Sequence, residues 1–166
     1  MKQRFFSLLV DNTSGVLSRI AGLFSRRGYS IDSITAGATA NQAFTRITVV
    51  CRGDEIILEQ ITNQLRKLVD VRDIKILKAE ESVNRELVLL KIRVNPEQRQ
   101  KVISLSDIFR AKIVDVAPES LMIEMTGDFS KIDAFLKLVD EFEILELART
   151  GITGLSRGSD DITYLG

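Results

Sequence analysis

The turn Asp11-Asn12-Thr13-Ser14-Gly15 has the residue types that bind a small anion. Asn12, Thr13 and Ser14 are favourable helix N-cap residues, and Gly15 lets a ligand approach the backbone closely. The first N–H groups of a helix have no partner within the helix and attract a carboxylate or a phosphate. Ordinary capped turns between a strand and a helix have the same composition. The turn alone therefore predicts a binding site, with a purely structural cap as the alternative.

No set of residues in the sequence indicates catalysis. The chain has no histidine, which excludes Ser-His-Asp and Cys-His nucleophiles, imidazole acid–base chemistry and metal sites that need a His ligand. Asp70, Asp73, Glu80 and Glu81 lie at a predicted strand edge and in a predicted linker, so we interpret them as solvated charges. Gly-x-Gly-x-x-Gly, P-loop and calcium-loop spacings are not found. We expect this chain to bind no metal and no cofactor of its own.

Composition favours a globular protein of one medium or two small domains. The chain has 166 residues, of which 45% are hydrophobic. Cys51 is the single cysteine and falls in an apolar alternation, so we expect a core residue and a reducing compartment. The sequence has no run of about 18 apolar residues and no pattern of a signal peptide. We therefore expect a cytoplasmic protein with no membrane partner.

The charges are balanced overall but unequal between the two halves. Lys and Arg together number 23, as do Asp and Glu, so there is no net positive field and we expect no nucleic acid partner. Residues 1–80 carry 12 basic and 8 acidic side chains, and residues 81–166 carry 11 and 15. This difference indicates two unlike surfaces, or scatter among solvated charges.

The first half of the chain predicts the order β-α-β-β-α-β. Hydrophobic periodicity and turn residues distinguish the strands from the helices, and Gly28 and Asp54 are expected to end the first helix and to cap the second. The predicted strands are Arg4–Val10, Ser30–Thr39, Phe44–Arg52 and Val71–Leu77, and the predicted helices are Gly15–Arg27 and Ile57–Leu68.

The second half predicts the same order after a polar linker at Lys78–Ser82. Pro96 is expected to open one helix, and Asp128 or Ser130 to cap the other. The predicted strands are Leu87–Val94, Ala111–Val116, Leu121–Thr126 and Ile144–Ala148, with helices at Pro96–Ile103 and around Ile132–Val139. The fold class is therefore α+β, with two ferredoxin-like domains at residues 1–78 and 83–166.

The N-terminal strand favours oligomerisation. Phe5 and Leu9 alternate with Phe6, Leu8 and Val10, which gives apolar side chains on both faces. An antiparallel sheet covered on one face leaves the other face and its edges open. We therefore expect at least a homodimer.

Several segments of the chain resemble one protein family. Leu9–Leu17 followed by Gly22–Ile31 resembles the start of the ACT domain in the small, regulatory subunit of acetolactate (acetohydroxyacid) synthase. The resemblance continues over essentially the whole chain, at Gln60–Val71, Arg85–Leu87, Ile108–Arg110, Asp133–Phe135 and Ala148–Gly158.

The resemblance implies a non-catalytic partner of the large subunit of that enzyme. Such a subunit binds the thiamine-diphosphate-dependent large subunit, raises its activity and confers feedback inhibition by branched-chain amino acids, chiefly valine. Thiamine diphosphate, magnesium and FAD would then belong to the large subunit. The alternative is an ACT-type amino-acid-sensing module that acts on another enzyme.

The effector site is expected at the N-terminal turn. We hypothesise that the effector carboxylate binds the N–H groups around Ser14, Gly15 and Val16, with no arginine required, and that the Asn12 oxygen accepts from the ammonium. The resemblance implies that Tyr29, Ser30 and Ile31 of a second subunit face this turn. The candidate residues for an apolar lining are Leu9, Leu17, Ile31 and Ile34, with plain core packing as the alternative for each of them.

The C-terminal segment Thr150–Gly166 is expected to be a flexible tail. Gly151, Gly154, Gly158 and two serines make it too flexible for a core strand. The alternatives are a solvated tail and a loop ordered by a partner.

Two other functions are disfavoured. RNA-recognition domains share the order of elements, but Phe44–Cys51 lacks their glycines and most of their aromatic residues. An amino-acid-sensing transcription factor would need a helix-turn-helix, and no segment outside the two predicted domains has the length for one.

Overall fold

The computed structural model describes residues 1–159, which form two compact units. The first unit contains Met1–Asn84 together with the described residues from Ile152 onward, and the second contains Arg85–Gly151. Each unit has its own antiparallel sheet and its own hydrophobic core.

The first unit has the predicted order of elements and a sheet in the order β2-β3-β1-β4. Phe6, Leu8 and Val10 point from β1 into the core beneath the two helices. The elements are β1 (Lys2–Asp11), α1 (Val16–Arg27), β2 (Ser30–Ala38), β3 (Phe44–Gly53), α2 (Glu55–Arg66) and β4 (Val71–Leu77).

The ends of these helices follow from local residues. Gly28 ends α1 in the left-handed conformation at φ 66°, and its N–H donates to carbonyls of the last helical turn. Asp54 caps α2 by accepting a hydrogen bond of 2.8 Å from the Ile57 N–H. Both predictions are confirmed.

The second unit repeats the arrangement, with four of its strands in the order β6-β7-β5-β8. Asn95 and Gln98 form a reciprocal capping box, with Pro96 in the first turn, and Asp128 caps the last helix. The elements are β5 (Ser82–Arg93), α3 (Pro96–Ile108), β6 (Lys112–Ala117), β7 (Ser120–Gly127), α4 (Phe129–Leu138) and β8 (Glu143–Arg149). The predicted α+β class with two ferredoxin-like domains is confirmed.

Helix α3 continues five residues beyond its predicted end at Ile103. The added turn contains Ser106, which is fully buried and donates its hydroxyl to the Val102 carbonyl at 2.8 Å. Phe109 follows and packs against the core, in edge contact with Phe135. Packing therefore outweighs the low helix propensity of this serine-rich stretch.

The C-terminal segment differs from the predicted flexible tail. Thr153–Ser156 forms a further strand, β9, which pairs with β5, and Ile152 is buried. Gly151, at φ 83°, turns the chain after β8. Gly154 permits close packing, because a Cβ there would collide with the Asn84 Oδ1. This segment therefore belongs to the first unit, and the remainder of the predicted tail, residues 160–166, lies outside the described residues.

Candidate functional site

The turn between β1 and α1 presents an uncapped helix start. Gly15 is the N-cap residue, in the left-handed conformation at φ 87°, and no side chain among the described residues caps the helix. The predicted capping by Asn12, Thr13 or Ser14 is therefore wrong, because the glycine itself forms the boundary. The N–H groups of the first turn point toward the space in front of Gly15.

The Asn12 side chain contacts the turn between β2 and β3 and the start of β3. Its Nδ2 donates to the Gln42 carbonyl at 2.9 Å, and its Oδ1 accepts from the Thr45 hydroxyl at 3.2 Å. The Asn12 N–H also donates to the Ala43 carbonyl at 2.8 Å. Asn12 thus ties the end of β1 to the turn between β2 and β3, while an amide oxygen keeps a second lone pair for a ligand.

Arg19 extends from α1 back to the turn. Its Nη1 lies 3.0 Å from the position that a Cβ on Gly15 would occupy. Its Nε donates to the Asp70 Oδ2 at 2.6 Å, and this hydrogen bond raises the pKa of Arg19. The Asp70 side chain is 12% exposed and the Arg19 side chain 48%. A buried carboxylate therefore holds a cation beside the uncapped helix start.

A second ion pair supports the other side of the turn. Arg72 donates to both carboxylate oxygens of Asp11, at 2.7 and 2.9 Å. This bidentate contact lowers the pKa of Asp11 below its ordinary value of 3.8. The Asp11 N–H donates to the Asp70 carbonyl at 2.9 Å, so that the two ion pairs are linked through the backbone.

Within one chain, the structure does not bring Tyr29, Ser30 and Ile31 to the turn. They follow α1, whose 12 residues span about 18 Å. Ile31 is level with Cys51 of β3 and so with Arg4, near the start of β1, whereas the turn follows the end of β1. Tyr29 packs edge-on against Phe24 in the core.

The candidate lining residues lie in different environments. Ile31 and Ile34 are partly buried on the face of the sheet that the helices cover. Leu17 is 48% exposed on α1, next to the turn. Leu9 alternates with Leu8 and Val10, which point into the helix-covered core, so its side chain lies on the opposite face. Leu9 therefore cannot line a site beneath α1.

Sequence reasoning did not find Arg19, and its interpretation of Asp70 as a solvated charge is wrong, because Asp70 is buried and paired with Arg19. The position of Arg19 beside the turn can be predicted from the sequence, because Arg19 lies four residues after Gly15 and a helical side chain leans toward the helix N-terminus. Asp70 is 51 residues away from Arg19 in the chain. No local pattern connects two residues at that separation.

Residues 1–159 contain no cluster of three or more His, Cys, Asp or Glu side chains arranged to hold a metal ion. None of the helices in that range has the length and apolar character needed to cross a membrane.

Comparisons with known proteins cover both units. The family model "AHAS small subunit-like ACT domain" matches residues 6–73, and the model "Small subunit of acetolactate synthase" matches residues 85–158. A probable acetolactate synthase small subunit of Methanothermobacter thermautotrophicus is 49% identical over 92% of both chains. This chain belongs to the acetolactate synthase small-subunit family.

Other members of this family agree with the assignment. The small subunit of Haemophilus influenzae is 43% identical over 96% of this chain and 99% of its own length. The crystal structure of the acetolactate synthase small subunit from Thermotoga maritima matches with a TM-score of 0.87 and 38% identity, over 96% of this chain and 99% of that one. As a small subunit, the chain has a catalytic large subunit as its implied partner.

Proposed function

We propose that this chain is a non-catalytic regulatory subunit that binds the large subunit of acetolactate synthase, raises its activity and confers feedback inhibition by a branched-chain amino acid, with valine as the first candidate. The observation that carries this proposal is the ACT-domain match over residues 6–73. Its range includes an uncapped helix start beside a guanidinium. Thiamine diphosphate, magnesium and FAD belong to the large subunit in this proposal.

The proposed effector site combines the turn with apolar side chains. An amino-acid carboxylate binds the N–H groups around Ser14, Gly15 and Val16, where the helix dipole concentrates positive charge. Val16 contributes only its N–H, because its side chain is buried in the core. The free lone pair of the Asn12 oxygen accepts from the ammonium group.

A homodimer formed through β2 completes this site. In the sheet, β1 and β2 both run antiparallel to β3, and Val10, Thr45 and Ala38 are level with one another. The β2 strand has a bulge between Ile31 and Ser33, so Ser30 lies three ladder positions from Ile34. If two copies of β2 pair antiparallel about Ile34, the middle of the strand, Gly37 lies opposite Ser30 of the partner subunit. Tyr29, Ser30 and Ile31 of the partner subunit are then level with the last residues of β1, just before the turn.

Reconstitution with the catalytic subunit tests the proposed function. The chain is co-expressed with the large subunit from the same organism, and acetolactate formation is measured with and without this chain and with increasing L-valine. We expect co-purification, a higher rate in the presence of the chain and inhibition by valine only in the reconstituted enzyme. L-Leucine, L-isoleucine and L-alanine serve as comparison ligands.

Each part of the proposal has its own contradicting result. Failure to co-purify and to raise the rate would overturn the regulatory role. Stimulation without inhibition by any branched-chain amino acid would overturn only the effector site.

A further inference from the structure

We propose that Arg19 binds the carboxylate of the effector and that Asp70 is the positioning residue that holds Arg19 in place. This inference rests on the proposed function, because it assigns a role at the same effector site. It adds a side-chain cation to a site that was expected to use backbone N–H groups alone.

The position of Arg19 carries the inference. Its Nη1 lies against Gly15, the N-cap residue of α1, 3.0 Å from where a Cβ would be. The hydrogen bond to Asp70 uses Nε. The two Nη groups carry four further N–H donors in a planar arrangement that matches a carboxylate.

Asp70 gives the guanidinium a fixed orientation. Its carboxylate is largely buried, and its backbone carbonyl accepts from the Asp11 N–H at 2.9 Å. An arginine fixed through one nitrogen loses less side-chain entropy when it binds a ligand. The charge of Asp70 also balances that of Arg19 when the site is empty.

Arg26 provides a matched control on the same helix. Its Nη1 lies 3.0 Å from the Cβ position of Gly22, which repeats the four-residue spacing of Arg19 and Gly15. Arg26 lies in the last turn of α1, far from the uncapped start. Both arginines therefore have the same spacing from a glycine. Only Arg19 is also next to the start of the helix and paired with Asp70.

The experiment compares two ligands on the full chain. Calorimetry measures the affinities of L-valine and of L-valinamide, which keeps the ammonium and the side chain but has no carboxylate. The variants are Arg19→Ala, Arg19→Gln, Arg19→Lys, Asp70→Asn and Arg26→Ala, each checked by thermal unfolding. If Arg19→Ala does not fold, Arg19→Gln replaces it, because its amide can still donate to Asp70.

We expect Arg19→Ala and Arg19→Gln to weaken L-valine binding about 10-fold to 100-fold, the range for a lost charge-assisted hydrogen bond. L-Valinamide binding should change little. Arg19→Lys and Asp70→Asn should give intermediate losses for L-valine, and Arg26→Ala should bind as the parent does. A merely structural role for Arg19 predicts equal losses for both ligands instead.

Two results contradict the inference in different ways. If the parent binds L-valine and the Arg19 variants bind it equally well, or lose both ligands in parallel, the role of Arg19 is wrong and the proposed function stands. If the parent binds none of L-valine, L-leucine and L-isoleucine, the effector site itself is wrong, and the inference falls with it.

Discussion

Gly15 combines two properties at the residue scale that no other residue type supplies together. Its φ of 87° is in the left-handed region, and its missing Cβ leaves space beside the Arg19 guanidinium. A Cβ at this position would lie 3.0 Å from the Arg19 Nη1. Effector binding is therefore expected to depend on the size and, above all, on the charge of the side chain at position 15.

Substitution of Gly15 by Asp should abolish binding of a branched-chain amino acid. The new carboxylate would lie beside Arg19 and the first N–H groups of α1, where it would occupy the position proposed for the ligand carboxylate. Gly15→Asn is the matched control, since it has the same shape without the charge and asparagine tolerates the left-handed conformation. Calorimetry with L-valine measures both variants. Parent-like affinity in Gly15→Asp would contradict the proposed location of the site.

Cys51 should resist thiol reagents in the folded protein. The side chain is fully buried, as predicted, and burial together with the nearby charge of Asp32 raises the pKa of its thiol to about 12. The thiolate, which is the reactive species, is therefore scarce at neutral pH. Titration with a chromogenic disulfide should show reaction only after denaturation. Rapid reaction of the native protein at pH 8 would contradict the burial.

At the element scale, β9 explains the Gly-rich C-terminal segment. The Arg157 N–H donates to the Glu81 carbonyl at 2.7 Å, and β9 pairs with β5. Arg149 forms a bidentate ion pair with the buried Glu86 at 2.7 and 2.9 Å, just before the chain turns at Gly151. The glycines of this segment thus serve a turn and a close approach between strands.

Gly154→Val should destabilise the protein. A Cβ at this position would collide with the Asn84 Oδ1 and lie 2.9 Å from the Leu77 Cδ1, so that these side chains or β9 itself would have to shift. Overpacking of this kind costs about 1–3 kcal/mol, and each kcal/mol lowers the melting temperature by about 2–4 °C in a chain of this size. Leu155→Ala, at an exposed neighbouring position, is the control. Calorimetric melting that is equal in both variants and the parent would argue against tight packing of β9.

At the scale of the whole molecule, the proposed effector site depends on a second copy of the chain. The two groups of predicted site residues lie at opposite ends of α1 within one chain. Antiparallel pairing of two β2 edges brings Tyr29, Ser30 and Ile31 of each chain level with the end of β1 in the other chain. The effector affinity and the dimer are therefore expected to be coupled.

Thr35→Asp should weaken the dimer. If β2 pairs about Ile34, the two introduced carboxylates lie diagonally across the interface, about 7–8 Å apart, and repel each other. Thr35→Asn has the same shape without the charge and should remain dimeric. Sedimentation velocity over a range of concentrations, with and without L-valine, measures the difference. Identical dimer affinities for the two variants would exclude an interface through β2.

The sequence by itself determined the β-α-β-β-α-β order that both units share, though not the added strand β9. Asp54, Asn95 and Asp128 each cap a helix through a backbone N–H only three residues away. Such contacts depend on residues that are neighbours in the chain, so pattern and residue type are sufficient to predict them. The resemblance to the small-subunit family likewise depends only on the order of residues.

Only the tertiary structure decided which distant residues meet. Asp70 forms an ion pair with Arg19, Gly15 is the N-cap residue of α1, and the segment predicted as a tail pairs with β5. These contacts join residues separated by tens of positions, and their stability comes from burial and from pairing with strands that are already in place. Local propensity carries no information about such partners. Composition alone therefore does not distinguish a flexible tail from a strand that is ordered by pairing with the rest of the fold.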